Sequence, residues 1–458
     1  MLFGSYVFLI FLPVAFCAYW LSARQGVKVQ NACIIAASYV FYGWMDWRLC
    51  GLLALSAVCA FWSGRIISDS GRNRLAVGIS LAVNLGILCF FKYYNFFAVS
   101  LTDAFSLMGV RLDVPTLQIV LPIGISFYSF MSIAYTIDVS RGTVKPARDP
   151  FSFFAYMSFF PQLLAGPIGR APEMLPQFER VRTFDYDLAV DGCRQMLWGF
   201  FMKMVIADGC AVLTDRLFLR PESFAGSMLL IGAFMYAIQI YADFAGYSNL
   251  AIGCGKLFGV RLRQNFAFPY FATNIADFWR RWHMSLTTWF RDYVYIPLGG
   301  SRCSKLKCIR NTFVVFLLSG LWHGANWTFV IWGFVHACLF LPLLILGKRL
   351  SMGVAGWLLT FPAVVFAWVF FRATDFHSAL DYFGAMFSKS IFSLPRSYLS
   401  MLPWIAVFLV VDWIQRKKEH SLQIGGLPKV IRWMIYLTIA VLCIAYQRRE
   451  AEFIYFQF

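Results

Sequence analysis

The sequence predicts an all-α, polytopic integral membrane protein with about 11–12 spanning helices plus re-entrant and interfacial helices. Of its 458 residues, 60% are hydrophobic and 14% are charged, whereas soluble domains contain roughly 25% charged residues. Runs of about 20 apolar residues, the length that crosses a bilayer as a helix, recur along the chain. No linker-like or low-complexity tract interrupts them, so we expect a single membrane domain over residues 1–458.

The candidate spans follow one another with short connections. They cover residues 5–21, 31–45, 49–63, 75–97, 117–138, 188–214, 227–252, 354–371, 401–415 and 431–447. Segment 151–168 is apolar but ends in Pro161, Gly166 and Pro167, which favours a re-entrant segment. Segment 311–347 is long, apolar and broken near "HGAN". It predicts two helices folded back against each other, with His323 at the joint.

The basic residues lie mostly in the loops between apolar segments. They give the chain a net charge of +17, and the 256–310 loop is among the most basic. Membrane proteins concentrate Lys and Arg in their cytoplasmic loops, so this pattern predicts a cytoplasmic 256–310 loop and both termini outside. Because no separate basic module exists, the sequence does not predict nucleic-acid binding.

The stretch "ADFWRRWHMSLTTWFRDYVYIPLGG", residues 276–300, has the pattern of an amphipathic helix. On a helical projection its Trp and Phe residues fall on one face, while its Arg, Ser and Thr residues fill the other. This pattern predicts a helix in or against the membrane interface, although an ordinary cytoplasmic connecting helix would look similar. His283 lies at the edge of the aromatic arc, and we expect it at the border between apolar and solvated surroundings.

Five histidines occur in the chain, and His323 is the strongest functional candidate. Burying an imidazole in an apolar segment costs free energy unless it is hydrogen-bonded, so such a histidine has either a hydrogen-bond partner or a function. The neighbouring Gly324 and Asn326 predict an interrupted helix, which membrane proteins tolerate where the backbone lines a cavity. His336 lies mid-span and predicts a helix–helix hydrogen bond. His377 and His420 lie in polar loops, where we expect solvated side chains.

Asp243 is an ionisable residue within an apolar run. Such residues are functional candidates, and both a proton relay and a structural partner for an arginine fit the sequence. No metal site is predicted, because "HGAN" supplies one ligand and the twelve cysteines are scattered without a CxxC pair. The chain also lacks a GxSxG nucleophile elbow and a phosphate-binding glycine loop.

Several ordered motifs resemble the membrane-bound O-acyltransferase superfamily, in its bacterial alginate-O-acetyltransferase branch. They are "LPIGISFYSFMSIAYTIDVSRG" (121–142), "FFPQLLAGPI" (159–168), "QIYADFAGYSNLAIGCGKLFGV" (239–260), "NFAFPYFATNIADFWRRWHMSLTTWFRDYVYIPLGG" (265–300), "LSGLWHGANWTFVIWG" (318–333) and "FAWVFFRATDF" (366–376). The resemblance covers almost the whole chain. It implies a catalytic core at about 117–347, C-terminal spans at 354–447 and helices around a central tunnel.

The resemblance implies O-acyl transfer centred on the histidine of "LWHGANW", His323, with the histidine of "RRWHMSL", His283, as the second functional position. An imidazole with an ordinary pKa near 6.5 suits a general base for transfer from a thioester to a hydroxyl. We expect Asn326 or a backbone N–H near the developing oxyanion. The donor would be acetyl-CoA or another acyl thioester, with no bound cofactor. Donor-binding candidates are Arg302, Lys305, Lys307 and Arg310.

The implied location is the bacterial cytoplasmic (inner) membrane, in contact with membrane lipid. Members of this branch pass the acetyl group to a separate periplasmic or surface acetyltransferase within an exopolysaccharide synthesis complex. The short predicted outer loops, such as 372–400, agree with a need for such a partner. Two alternatives remain open: D-alanyl transfer from a carrier protein to teichoic acid, and a proton-coupled transporter that uses Asp243 and the histidines.

Overall fold

A computed structural model describes residues 1–70, 73–112, 114–164, 166–346, 353–395, 399–447 and 453–454. The residues it describes form helices, turns and loops and contain no strand, which confirms the all-α prediction. Seven of the described segments are long and apolar enough to cross a membrane: Tyr6–Gln25, Leu49–Asp69, Arg74–Leu107, Tyr186–Leu219, Gly226–Leu257, Trp327–Leu346 and Gly353–Arg372. Several of the other predicted spans form shorter helices. Because seven helices are long and apolar enough to cross a bilayer, the chain is a multi-pass membrane protein.

The chain forms two compact units. The first comprises Met1–Cys193 and Ala251–Arg263, and the second comprises Arg194–Leu250 and Gln264–Phe458. Two of the three boundaries fall within helices, α10 (Tyr186–Phe200) and α12 (Gly226–Leu257), and the third lies between Arg263 and Gln264, after α12. The expectation of a single domain stays a prediction.

In the part of the first unit that the structure describes there are nine further helices, and buried polar contacts join several of them. They are α1 (Tyr6–Ser22), α2 (Val27–Gly43), α3 (Leu49–Ser70), α4 (Arg74–Leu88), α5 (Tyr94–Leu107), α6 (Ile125–Ser140), α7 (Pro150–Ser158), α8 (Phe160–Leu163) and α9 (Ala171–Phe178). The Ser56 hydroxyl on α3 donates to the Asn84 Oδ1 on α4 and lies 2.7 Å from the Ser132 hydroxyl on α6. Such contacts satisfy polar groups that would be costly to bury alone.

The second unit contains the remaining helices. They are α11 (Asp208–Leu219), α13 (Ile275–Arg281), α14 (Met284–Phe290), α15 (Lys305–His323), α16 (Trp327–Leu346), α17 (Gly353–Arg372), α18 (Phe376–Met386), α19 (Leu402–Gln415) and α20 (Lys429–Ala445). Short π-helical segments, Phe201–Ala207 and Arg291–Tyr295, extend α10 and α14. The core of this unit is rich in aromatic side chains from α12, α13, α16 and α17.

Two segments differ from the sequence prediction. The span predicted at 117–138 is helical only from Ile125, after Pro122 and the left-handed Gly124 at φ 75°. The segment 372–400, predicted to be a short outer loop, contains the eleven-residue helix α18. Segment 151–168 contains the two short helices α7 and α8, broken at Phe159, and its re-entrant course stays a prediction.

The continuous interfacial helix predicted at 276–300 is wrong. The backbone is extended at Trp282 and left-handed at His283, which separates α13 from α14. Its aromatic face packs in the core of the second unit, with Phe278 and Trp282 fully buried. A helix that buries one face in protein has the same residue pattern as one that lies at an interface, so periodicity alone does not separate the two.

Candidate active site

His323 is the last residue of α15, at a break in the α15–α16 hairpin. The chain leaves the helix at Gly324, which is extended, and α16 begins at Trp327. A Cβ atom at Gly324 would come within 2.1 Å of the Phe329 ring, so a larger residue there would require that ring to move. The two-helix prediction for 311–347, with His323 at the joint, is confirmed over the residues up to 346 that the structure describes.

Asn326 caps the second helix of this hairpin. Its Oδ1 accepts the backbone N–H of Thr328 at 3.0 Å, and its Nδ2 donates to the Thr374 carbonyl at 2.7 Å. An Asn at this position satisfies an N–H group that the first turn of a helix leaves open. The geometry therefore gives Asn326 a structural role, and its place near an oxyanion stays a prediction.

Two glycines bring α15 and α16 close together. A Cβ at Gly320 would lie 2.2 Å from the Phe329 carbonyl oxygen, and one at Gly333 would lie 2.3 Å from the Phe316 carbonyl oxygen. Each helix thus packs against the backbone of the other where a glycine leaves room. This close antiparallel packing fixes the position of His323 relative to the side chains of α16.

His283 occupies the break between α13 and α14 with φ 40° and ψ 55°. Positive φ is unfavourable for residues with a Cβ, and such conformations persist where the surroundings determine them. Asn265 supplies part of this support: its carbonyl accepts the Met284 N–H at 2.8 Å, and its Oδ1 accepts the Ser285 hydroxyl at 2.6 Å. Its Nδ2 in turn donates to the Ser248 hydroxyl on α12 at 3.1 Å.

The structure brings His283 and His323 together. Their ring centroids lie 6.4 Å apart, although the residues are separated by forty positions in the chain. His283 is 0% exposed and His323 is 2% exposed. The Trp322 ring packs against both, with centroids 5.8 Å from His283 and 5.0 Å from His323. His283 and His323 are hereafter called the histidine pair. Aromatic side chains surround both imidazoles.

The prediction that His283 lies at the border between apolar and solvated surroundings is wrong, because its side chain is fully buried. Burial lowers the pKa of His283 to about 3, so the imidazole is neutral near neutral pH. Its ring nitrogens have no hydrogen-bond partner among the residues that the structure describes. A neutral imidazole offers one donor and one acceptor to a bound substrate.

A cavity of about 310 Å³ lies within the second unit, and Trp279 and Ser319 are among the residues that line it. Ser319 lies about one helical turn before His323 on α15, and Trp279 lies four residues before His283 in the chain. The cavity is mainly apolar, and Arg280 and Arg291 contribute its charged lining. This lining suits a ligand with an apolar part and an anionic part.

The predicted donor-binding residues lie away from the histidine pair. Arg302, Lys305, Lys307 and Arg310 are all exposed. Lys305 begins α15, whose nineteen residues end at His323. A helix rises 1.5 Å per residue, so about 27 Å separates the two ends. Any role of these residues therefore concerns a distant part of the donor.

Asp243 has a lysine as its ionic partner. Its Oδ1 lies 2.8 Å from the Lys203 Nζ, which also lies 2.8 Å from the Asp208 Oδ1, and its Oδ2 accepts the backbone N–H of Ile454 at 2.8 Å. Of the two functions open for Asp243, these contacts favour the structural one, with Lys203 in place of an arginine. Lys203 was missed in the sequence, although it is the one charged residue in the run "FFMKMVIA".

The other histidines differ in burial. His336 is 0% exposed, and its ring nitrogens have no hydrogen-bond partner in the described part of the chain, so the predicted helix–helix hydrogen bond is wrong. Its ring instead packs against Trp332 and Trp279, at centroid distances of 4.7 and 5.0 Å. His377 is exposed, as predicted, whereas His420 is buried and its predicted solvation is wrong.

Comparison with known proteins identifies a family and several named relatives. The profile of the membrane-bound O-acyltransferase family matches residues 115–380, which include both members of the histidine pair. A Pseudomonas aeruginosa relative named "Probable alginate O-acetylase AlgI" is 42% identical over 404 residues, covering 86% of this chain and 76% of the relative. A Helicobacter pylori relative named "Peptidoglycan O-acetyltransferase" is 35% identical over 428 residues, covering 84% and 80%.

A third relative, named "Teichoic acid D-alanyltransferase" in Bacillus subtilis, is 31% identical over 229 residues, covering 47% of this chain and 57% of the relative. The named activities of these relatives are all acyl transfers. The chain belongs to the membrane-bound O-acyltransferase family and is a multi-pass membrane acyltransferase.

Proposed function

We propose that this protein moves an acetyl group from a cytoplasmic thioester, acetyl-CoA, to the outer face of the bacterial inner membrane for O-acetylation of an exopolysaccharide. The observation that carries the proposal is the contact of His283 with His323, the residue at the break of the α15–α16 hairpin. Similarity over 86% of the chain to a relative named for alginate O-acetylation supports the choice of acetyl group and acceptor.

His323 acts as the general base in the proposed reaction. It takes the proton of the acceptor hydroxyl as the hydroxyl oxygen attacks the thioester carbonyl carbon. The tetrahedral oxyanion then collapses, the C–S bond breaks and the thiolate leaves. The thiolate accepts the proton from the His323 imidazolium, so the products are an ester, a thiol and a neutral imidazole.

His283 contacts the thioester arm of the donor. Because its imidazole is neutral and enclosed, it can accept or donate one hydrogen bond without introducing charge. Its support by Asn265 and the left-handed backbone holds the ring in one orientation, which reduces reorganisation when substrate binds. We assign His283 a positioning role for the donor.

The donor enters along the 310 Å³ cavity, with its acyl end toward the histidine pair. Arg280 and Arg291 at the cavity, and Arg302, Lys305, Lys307 and Arg310 beyond it, attract the phosphates of coenzyme A. The outer partner is a separate periplasmic or surface acetyltransferase in an exopolysaccharide synthesis complex. Helix α18 and the short connections around it offer no polymer-binding domain in the described part of 372–400.

The relatives also define a second candidate acceptor. Similarity to the peptidoglycan O-acetyltransferase extends over 84% of the chain, whereas similarity to the D-alanyltransferase extends over 47%. Acetylation of peptidoglycan is therefore the stronger alternative, and D-alanylation of teichoic acid is the weaker one. Family membership favours either acyl transfer over a proton-coupled transporter.

The cargo and acceptor are tested by releasing surface esters with mild base and measuring acetate and D-alanine separately from exopolysaccharide and cell wall. A deletion strain is complemented with wild type, His323→Ala or His377→Ala at matched protein levels, because His377 is an exposed histidine and serves as the control. We expect His323→Ala, and not His377→Ala, to lose exopolysaccharide acetate. Loss from the cell wall, or loss of D-alanine, moves the assignment to the corresponding alternative. Retention of every ester by His323→Ala overturns the proposed function.

A further inference from the structure

The core beside the histidine pair contains several buried indole N–H groups that make no hydrogen bond to a described residue. Trp279, Trp282, Trp332 and Trp368, hereafter the tryptophan cluster, are each buried. None of their four Nε1 atoms has a hydrogen-bond partner among the residues that the structure describes. Buried donors in proteins are nearly always satisfied, and an unsatisfied one is costly. A group of such donors beside a candidate active site is suited to an acceptor on a substrate.

Within the tryptophan cluster, Trp332 is the member whose described ring contacts include His323. The two ring centroids are 5.1 Å apart and the rings are nearly perpendicular, at 89°. Trp332 is 0% exposed, and its ring also packs against His336 with the centroids 4.7 Å apart. The ring is therefore in contact with two histidines.

The α15–α16 hairpin fixes this placement. Trp332 directly precedes Gly333, where α16 lies against the Phe316 carbonyl of α15. Trp368 stacks on the Trp332 ring at 5.5 Å, and Phe371 packs against both Trp332 and His323 at 5.3 Å. A donor held this firmly needs little reorganisation when charge develops on a substrate.

The amide of Asn326 is another donor near the break, but it already makes two hydrogen bonds. Its Nδ2 donates to the Thr374 carbonyl at 2.7 Å while its Oδ1 caps α16. Turning this amide toward a substrate would break both contacts. The indole N–H of Trp332 makes no hydrogen bond to a described residue.

We propose that the Trp332 indole N–H donates a hydrogen bond to the thioester carbonyl oxygen as that oxygen becomes an oxyanion. The inference rests on the proposed function, because it requires acyl transfer at His323. The hydroxyl oxygen forms a bond to the carbonyl carbon, and the carbonyl π electrons move to the oxygen facing Nε1–H. When the oxyanion collapses, the C–S bond breaks and the thiolate takes the proton that His323 received. Trp332 stays protonated throughout and is a catalytic residue by its contact with the reacting oxygen.

The test uses inverted membrane vesicles that contain the full-length protein and its native acceptor, with radiolabelled acetyl-CoA as donor. Trp332→Phe keeps an aromatic ring and removes the N–H. Removing one oxyanion donor typically lowers kcat about 10²–10³-fold, and we expect this loss with little change in the KM for acetyl-CoA. Trp198→Phe is the matched control, because Trp198 is also buried in the second unit but its described ring contacts are with Phe201 and Phe408. It should retain transfer near the wild-type rate.

A shape-preserving replacement separates chemistry from packing. Replacing Trp332 by β-(3-benzothienyl)alanine exchanges the N–H for sulfur and keeps the bicyclic ring, so this variant should fold even if Trp332→Phe does not. It should reproduce the loss of kcat. Wild-type kcat in the benzothienyl variant overturns the assignment of Trp332 while leaving acyl transfer intact. Wild-type transfer by His323→Ala, measured in parallel, instead contradicts the proposed function itself.

Discussion

His283 combines full burial with a left-handed backbone. Its φ of 40° is one of two positive values among the non-glycine residues that the structure describes, the other being at Phe268. This conformation costs roughly 1–2 kcal/mol for a residue with a Cβ. Its neighbours Met284 and Ser285 hold it there through hydrogen bonds to Asn265. The strain is consistent with a functional position, because strained backbone is often kept where a side chain must point in one direction.

Two substitutions at His283 separate the ring from the backbone. Both His283→Ala and His283→Gly remove the imidazole, so both should lose acyl transfer. Glycine adopts positive φ without a Cβ clash, so we expect the Gly variant to be more stable than the Ala variant by about 1 kcal/mol. Thermal unfolding in detergent measures this difference. A less stable Gly variant would contradict the argument from backbone strain.

The buried imidazole of His283 also predicts a pH dependence of stability. Its pKa is about 3 in the folded protein, while an unfolded histidine has its ordinary pKa of 6.5. Between these values the unfolded state binds more protons, so this contribution is complete above pH 6.5 and is lost as the pH falls, by at most about 1.4 kcal/mol per pH unit. The melting temperature of wild type should therefore fall more between about pH 7.5 and 5.5 than that of His283→Gln. Equal falls in the two proteins would contradict the assigned shift.

The α15–α16 hairpin is the element that places His323 and Trp332 together. Its break was predictable from "HGAN", since glycine and asparagine end and begin helices in recognisable ways. The close packing at Gly320 and Gly333 was not predictable, because a glycine in an apolar helix is compatible with several kinds of neighbour. The break between α13 and α14 was also missed, since its support comes from Asn265, which lies outside the segment.

Gly333→Ala tests the packing of this hairpin. Its Cβ would lie 2.3 Å from the Phe316 carbonyl oxygen, a contact that the backbone must move to relieve. Overpacking of this kind costs typically 1–3 kcal/mol, and we expect a lower melting temperature together with reduced acyl transfer. Gly384→Ala in α18 is the control, because nothing lies within 4 Å of its Cβ position. It should be neutral or stabilising by up to about 1 kcal/mol, since alanine favours helix. Equal effects of the two substitutions would contradict the close-packing argument.

At the scale of the whole molecule, composition was enough to predict a multi-pass helical membrane protein, and the motifs were enough to predict the family. The joining of His283 and His323 could not be derived from periodicity, because forty residues separate them and the contact depends on tertiary packing. Buried partners such as Lys203 and Asp243 were likewise hidden, since each looks like an isolated charge in an apolar run. The sequence therefore predicts the candidate residues better than it predicts their partners.

The central claim is that His323 is the base of an acyl transfer, and direct transfer in membrane vesicles tests it. Vesicles containing wild type, His323→Ala or His377→Ala receive radiolabelled acetyl-CoA, and ester-linked label on the native acceptor is measured over time. General-base catalysis contributes typically 10²–10⁴-fold, so His323→Ala should slow transfer by at least about 100-fold while His377→Ala stays near wild type. Wild-type transfer by folded His323→Ala protein would contradict the account.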